Sequence, residues 1–552
     1  MRLPTRPADR LNLYRELLHR CAVSRGDRRE RYRRYKTWYY TGSDSGGPVR
    51  YNKLAEHVQF SASYLLAPDN VRWGVALPPQ YGEEWIIEES VARDELTRTW
   101  HDSEAGMTAA MCVTWAHIYD SVVAKVLVSD NEPTLLMIPD TADIGVRDEQ
   151  VHEWDRQEAI CHWYTVDLDT FRRMVSALPS AEKRIELLRE ASVHAMRAGE
   201  AEGETLPPTV QRVLIAASSP NMIGQAQAAP DTSLARARSD EPVVQLAELW
   251  IRDDEARDFR VVTMFVATED VLWQPVNPLV SNEHAFHPLS LETTPGYIWG
   301  LCPMERLVQL QRWREEKIGD LDERQGRQID PPMFFKGFAN VDGEKAVRFR
   351  RRGGNIVSNV PNAEVQPFPP SPLPDEFGML HEIDQEFSRA GGLPRSLQGQ
   401  AEPGARGGEQ QMAMAMLGAG PTLRNAQQVE DWLEGVGTAM LRLQRRTSGK
   451  YLIKPDGSKF LLAQMPGEFV ARVWAHSSSP LYAQQLLQRA VIAKDKGAID
   501  SEDLLEFLDL PLTDVRLKAK ARKLAEAQAA QRERMLKVKE LEAQAKEEKA
   551  RK

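Results

Sequence analysis

Between Pro295 and Gln411 the chain switches character four times, and that order constrains the fold more than any other feature. A charged stretch beginning at Leu301 carries an apolar stripe at helical spacing and predicts a helix running past Asp320. Pro331-Pro332-Met333-Phe334-Phe335 then opens a β-rich excursion that contains Arg348-Phe-Arg-Arg-Arg-Gly-Gly354. A second helix follows Pro374 and stops at Gly391-Gly392. Next comes a stretch rich in Gly and Gln, from Leu393 to Gln411, and then another helical pattern. Such a layout looks mechanical rather than catalytic.

The absence of catalytic signatures agrees. There is no Gly-x-x-x-x-Gly-Lys-Ser/Thr phosphate loop, no His-Glu-x-x-His and no Gly-x-Ser-x-Gly elbow. Gly435-Val-Gly437 resembles part of a dinucleotide fingerprint but lacks the third glycine and a preceding strand. His152, Cys161 and His162 offer metal-ligand chemistry at a spacing that does not match finger-type sites. Glu382 and Glu386 share a helix face beside Asp384, an arrangement that reads as a solvated charged face before it reads as an acid–base pair. No enzyme activity, cofactor or metal is expected.

The 552 residues allow several subdomains of roughly 100–200 residues each. A net charge of −9 provides no global polycation for holding nucleic acid. Basic charge is concentrated in residues 1–40, around Arg28-Arg29 and Arg31-Tyr-Arg-Arg-Tyr-Lys36. The four cysteines are far apart, which argues against a disulfide framework and for a reducing compartment. No apolar run reaches the ~18 residues of a membrane span, and the N-terminus lacks a signal-peptide segment. A cytoplasmic origin is expected, with no membrane partner.

Local patterns fill in the rest. Residues 9–40 read as an amphipathic helix pair with a basic face, and 51–66 as a helix with Leu54, Val58, Ala62 and Leu65 inward. One or two long helices are expected over 93–128, then paired strands at 126–129 and 134–138. Helices are predicted over 155–163 and 169–178, helix plus loop over 179–240, and a β-hairpin from 243–251 and 259–266 with a further strand at 271–273. A long helix passes through Trp432, Val436, Met440 and Leu443, and a small hairpin turns at Pro455-Asp-Gly457. Helices are expected over 481–512, and a long exposed one over 513–552, which holds no Gly or Pro. The fold class is α+β, predominantly helical.

Several short blocks, in this order, resemble portal proteins of tailed double-stranded-DNA bacteriophages, the ring at one capsid vertex through which DNA enters and leaves. They are Phe60-Ser-Ala-Ser-Tyr-Leu-Leu66, then Ile138-Pro-Asp-Thr-Ala-Asp-Ile-Gly-Val146 with Gln157, Glu158 and His162, then Gly300-Leu-Cys-Pro-Met-Glu-Arg-Leu307 with Leu310 and Gln311, and Pro331-Pro332. The likeness is strongest over 35–71, 139–163 and 249–411. It implies a portal-type fold, with residues 1–295 as the N-terminal part of a wing and 296–328 as a first stem helix. Residues 329–373 would be a clip, 374–390 a second stem helix, and 391–411 a tunnel loop with the start of the following helix. Residues 412–480 would complete the wing, and 481–552 would form a crown and C-terminal helix.

The resemblance further implies a homo-oligomer of twelve subunits around a DNA channel in the virion. Its partners would be double-stranded DNA, the terminase large subunit, head-completion adaptor and tail proteins, and the major capsid and scaffolding proteins. Arg395, Gln398, Gln400, Arg406 and Gln410 would contact DNA in the tunnel loop, unless that segment is only a solvent loop. Arg348, Arg350, Arg351 and Arg352 in the clip would meet an acidic partner or form intersubunit ion pairs. Mixed charges on the stem would keep the wall from gripping DNA, whose phosphates lie about 1.7 Å apart along the axis, or would zip neighbouring subunits together. The basic cluster at 28–40 would contact capsid, scaffold or DNA, or merely cap the wing. The competing reading is a helical scaffold or adaptor with a coiled-coil tail, weakly supported by Leu517 and Leu524.

Overall fold

The computed structural model describes chiefly residues 1–43, 52–67, 71–197, 242–329, 333–336, 364–367, 376–392 and 420–473, less a few positions within these ranges. Helix outweighs strand, 55% to 22%, in a mixed fold. Two compact units emerge. One is built from residues 1–62 and 111–428, the other from 63–110 and 429–552.

The larger unit begins with a single 35-residue helix, α1 (Pro7–Thr41), where the sequence reads as a helix pair. Pro7 sits in its first turn, no proline interrupts it, and Gly42 closes it by donating its N–H to the Trp38 carbonyl at 2.8 Å. Its buried stripe runs through Tyr14, Leu17, Leu18, Cys21, Arg25, Arg28, Tyr32, Tyr35 and Trp38. The spacing of three and four is helical throughout. This stripe contains two arginines, so the face that packs inward is partly the basic one. Helix α2 (Lys53–Leu65) buries Leu54, Val58, Ala62 and Leu65 as its pattern predicts.

α1 lies on a six-stranded antiparallel sheet of order β4–β5–β7–β8–β9, with β6 also paired to β7. The strands are β4 (Ile144–Val146), β5 (Ala159–Asp167), β6 (Met196–Arg197), β7 (Pro242–Asp253), β8 (Asp258–Phe265) and β9 (Asp270–Trp273). One face packs Ala159, Cys161, Trp163, Leu249, Ile251 and Val262 against Tyr14, Leu17, Leu18 and Cys21 of α1. The opposite face packs Tyr164, Val166, Leu246 and Phe265 against α5 (Leu168–Ser176) and α6 (Ala181–His194). The hairpin predicted at 243–266 is therefore present, and β9 extends it.

The helix predicted over 155–163 is not. Only a short 3-10 turn spans Trp154–Arg156, and β5 follows. β5 is buried on both faces, so its side chains form a continuous apolar run rather than an alternation, a pattern that periodicity alone cannot tell from a buried helix. The helical pattern over 93–128 likewise ends at α4 (Ala105–Ile118), and β2 (Val122–Ser129) begins a three-stranded sheet between β10 (Phe286–Leu289) and β3 (Glu132–Met137).

In the smaller unit, α3 (Ile86–Asp102) and residues 429–447 of α9 (Gly420–Thr447) share a core with β1 (Trp73–Ala76) and β15 (Val470–Val473), which pair antiparallel. Gln444 donates to Glu95 at 2.6 Å, and the Ala471 amide donates to the Thr438 hydroxyl at 2.9 Å. Trp73 meets Trp100 edge-on at 5.0 Å. The Gly435-Val-Gly437 pair lies inside α9, where a Cβ at Gly437 would collide with the Trp73 ring. That glycine makes room for an indole and has no part in a nucleotide loop. The hairpin expected around Pro455-Asp-Gly457 forms from β13 (Tyr451–Ile453) and β14 (Lys459–Leu461). The helices expected over 481–552 lie outside the described residues.

Candidate functional site

The switching stretch of the sequence folds as a helical hairpin within the larger unit. α7 (Glu305–Ile329) has 25 residues, a rise of roughly 37 Å at 1.5 Å per residue. α8 (Glu376–Ala390) returns beside it. Between them, β11 (Met333–Lys336) pairs antiparallel with β12 (Glu364–Pro367), so the excursion leaves and returns as a closed ladder. The helices are antiparallel to each other. The Lys53 amide of α2 donates to the Gln311 side chain near the start of α7, and His57, one turn further along α2, touches Gly391 at the end of α8.

The entry to α7 is fixed by backbone. The Met304 amide donates to the His117 carbonyl at 3.1 Å, the Cys302 thiol to the Ile118 carbonyl at 2.9 Å, and the Gly300 amide to the Ser121 hydroxyl at 3.0 Å. Residues 296–304 therefore lead into the helix along the end of α4 and are not themselves helical. Leu321, Ile383 and Phe387 are buried residues of the hairpin.

The mixed charges of the hairpin have partners within the chain. Arg314 bridges the two helices to Asp384 at 3.1 Å, Lys317 pairs with Asp320 at 3.1 Å, Arg389 pairs with Glu386 at 2.7 Å, and Arg306 pairs with Glu292. Asp384 and Glu386 are thus ion-pair members along the hairpin. Neither of the two uses anticipated for these charges, a non-gripping wall or a zip between subunits, included this intrachain one.

The exit of α8 is the most tightly specified corner. Gly391 donates to the Phe387 carbonyl at 2.9 Å and Gly392 to the Arg389 carbonyl at 3.2 Å. Gly392 adopts φ +72°, the left-handed conformation that ends helices and favours glycine. Gly391 is a glycine for a different reason: a Cβ there would collide with the His57 imidazole. The Thr422 hydroxyl, in the first turn of α9, donates to the Gly392 carbonyl at 2.6 Å. The start of α9 is thereby held to the end of α8.

Arg395, Gln398, Gln400, Arg406 and Gln410 fall between α8 and α9 in the sequence, and Arg348, Arg350, Arg351 and Arg352 between β11 and β12; all nine lie outside the described residues. Sequence reasoning missed His57 and Thr422. His57 is three residues from Leu54 on the inward face of α2, a position that reads only as core, and nothing local marks Thr422 as a clamp.

Part of the basic N-terminal cluster faces inward. Arg25 donates to Asp143 at 2.6 Å, and Arg28 lies 3.5 Å over the Trp299 ring while donating to the carbonyls of Ser24, Thr141 and Ile144. Arg31 pairs with Asp120, Arg34 with Glu305 and Lys36 with Asp140, and Tyr32 donates to Asp120. Burial pushes the carboxyls of Asp120 and Asp143 upward, against the pull of the neighbouring guanidiniums. Arg25, Arg28 and Tyr32 thus serve the framework of the fold, a role not among those considered, while Arg33 and Arg34 stay exposed.

The His152, Cys161, His162 group does not converge. Cys161 and His162 are consecutive on β5 and point to opposite faces, and the His152 ring lies 3.2 Å from the Tyr297 carbonyl. Among the described residues no group of three His, Cys, Asp or Glu could hold a metal ion, and no helix is long and apolar enough to cross a membrane. All four cysteines are free and buried. No protein-family model matches the chain, and no curated protein matches it in sequence.

Proposed function

We propose that this chain is the subunit of a portal ring, a twelve-fold channel at one capsid vertex through which viral DNA is packaged and later ejected. The observation that carries the reading is the helical hairpin of α7 and α8, whose exit is held to the start of α9 by the Thr422 hydroxyl on the Gly392 carbonyl. A conduit needs such a part: a wall whose joints do not shift as a duplex passes. α7 and α8 supply the wall, and the β11–β12 ladder lies between them in the chain.

In this reading Arg395, Gln398, Gln400, Arg406 and Gln410 meet DNA with few cations and many exchangeable amides. That composition suits sliding, because each phosphate held by a cation adds a salt-dependent grip. Arg348, Arg350, Arg351 and Arg352 form the docking surface for the terminase large subunit and then for the head-completion adaptor and tail proteins. Major capsid and scaffolding proteins contact the wing. The chain performs no covalent chemistry itself, and its place is the virion vertex after assembly in the host cytoplasm.

Imaging and mass measurement of the purified chain test this directly. A ring of about twelve subunits with a central hole is expected; a monomer or a two-stranded rod would overturn it in favour of a helical scaffold or adaptor. In an infected-cell assay, the Arg395→Ala/Arg406→Ala double variant should alter the length or rate of DNA movement while leaving ring assembly intact. Unchanged movement would remove the DNA-contact role of those arginines.

A further inference from the structure

The His57 side chain sits where three elements meet. Its ring packs into the space a Cβ at Gly391 would fill and approaches the Ser61 hydroxyl through Nε2 at 3.3 Å. His117 of α4 adjoins it, held by a 2.9 Å contact from its Nδ1 to the Val113 carbonyl. His117 also anchors the entry of α7, because its carbonyl accepts from the Met304 amide. Two buried histidines therefore mark the hairpin, one at its entry and one at its exit.

We propose that the His57–His117 pair is a protonation-sensitive latch that seats the exit of α8 on α2 and releases it when the His57 imidazole becomes charged. The inference concerns the Gly391–Gly392 corner of the single chain and stands or falls independently of any ring. The charged and titratable groups facing His57 are Lys53 and Glu56 on its own helix and His117 on α4; Lys53 and Glu56 pair with each other at 3.0 Å. Lys53 and His117 oppose a charge on His57, and Glu56, which favours one, is shared with Lys53. Burial holds the His57 pKa down to about 4, and that of His117 also to about 4. In the latched state the ring is thus neutral. In an open state, where water reaches it, it regains its ordinary value near 6.5 and takes up a proton at mildly acidic pH.

Linkage between those two values converts to an increase of about 30-fold in the open-to-latched ratio on going from pH 7.5 to pH 5. Hydrogen exchange at the Gly391 and Gly392 amides reads this ratio, after correction for the intrinsic pH dependence of exchange. On the full-length chain, their protection should fall by roughly that factor. His57→Gln keeps an uncharged polar side chain against Gly391 but cannot titrate, so it should retain protection at pH 7.5 and lose most of the pH dependence. His57→Ala should lose protection at both pH values. An undiminished pH response in His57→Gln, or wild-type protection in His57→Ala, would overturn the proposal. If His57→Ala fails to fold, the His57→Gln comparison alone decides.

Discussion

The six-stranded and three-stranded sheets of the larger unit are joined by a buried ion pair whose removal should be among the costliest single changes in the chain. Lys125 of β2 donates to both carboxylate oxygens of Glu248 on β7, each at 2.8 Å, with side chains 2% and 6% exposed. Trp250 donates its indole N–H to the same carboxylate at 2.5 Å, and the Lys125 amine lies 5.3 Å from the Phe286 ring centre. Lys125→Met removes the cation and leaves a buried carboxylate with one neutral donor, a change that costs about 3–5 kcal/mol when a buried pair is broken from one side. The double variant Lys125→Met/Glu248→Leu removes the charge problem. It should lie within about 1–2 kcal/mol of the parent, the residue being mainly the orphaned indole donor. Glu248→Leu strands a buried ammonium at a similar cost of about 3–5 kcal/mol, so the cycle carries a coupling of at least about 4 kcal/mol. Native-state hydrogen exchange at the β5, β7 and β8 amides measures the opening free energy of this sheet without requiring the whole chain to unfold in one step. A loss below about 1 kcal/mol in Lys125→Met, or a double variant worse than the single, would refute the assignment of inter-sheet adhesion to this pair.

Three further outcomes are expected. Gly391→Ala should destabilise α8 by about 1–3 kcal/mol through overpacking against His57, and the double variant with His57→Ala should cost less than the two changes summed; additive costs in exchange at the α8 amides would deny the collision. Stability should fall as pH falls below about 6.5, because burial holds His57 and His117 to about 4 and His287 to about 3 in the folded chain while the unfolded imidazoles charge first. Asp120 and Asp143, pushed up by burial, act in the opposite sense, so the clean measurement is the difference in urea midpoint between pH 7.5 and 5 for the parent and for His117→Gln; the parent should lose about 2 kcal/mol more. Thr422→Val removes the hydroxyl that holds the Gly392 carbonyl and should weaken protection at the first turn of α9 by about 1 kcal/mol, with no change in the β5–β7–β8 amides.

What the sequence disclosed depended on how many faces of each element are buried. The β7–β8 hairpin, the β13–β14 hairpin, and the α2 stripe of Leu54, Val58, Ala62 and Leu65 were readable because turn residues or a single apolar face mark them. β5 was not, because α1 covers one side of it and the second face is buried as well, which erases the alternation. α1 was misread as a helix pair. Its arginines look like a solvated face, yet Arg25 and Arg28 are buried because distant carbonyls and Asp143 meet their guanidiniums, and no local pattern announces partners more than a hundred residues away. The smaller unit was also invisible as a unit, since it is assembled from residues 63–110 and from 429 onward.

The glycines carry the sharpest lesson for the candidate site. In sequence, Gly391 and Gly392 open a run of glycines that looks uniformly permissive, and Gly435 and Gly437 look like a fragment of a nucleotide loop. Only Gly392 uses a left-handed backbone; Gly391 and Gly437 lack a side chain because an imidazole and an indole occupy the space. A packing glycine is a rigid contact, and it fixes two elements closer together than any other residue would allow. The segment from 393 onward is therefore preceded by a braced corner, with the helix cap, the His57 ring and the Thr422 hydroxyl converging on two consecutive residues. If that segment follows a moving duplex, as proposed, force applied along it meets this corner first, and the corner passes it to α2 and α9 together. Substitutions at His57 or Thr422 should then change how the segment responds to load while leaving Arg395 and Arg406 untouched, a separation that Arg395→Ala/Arg406→Ala alone cannot provide.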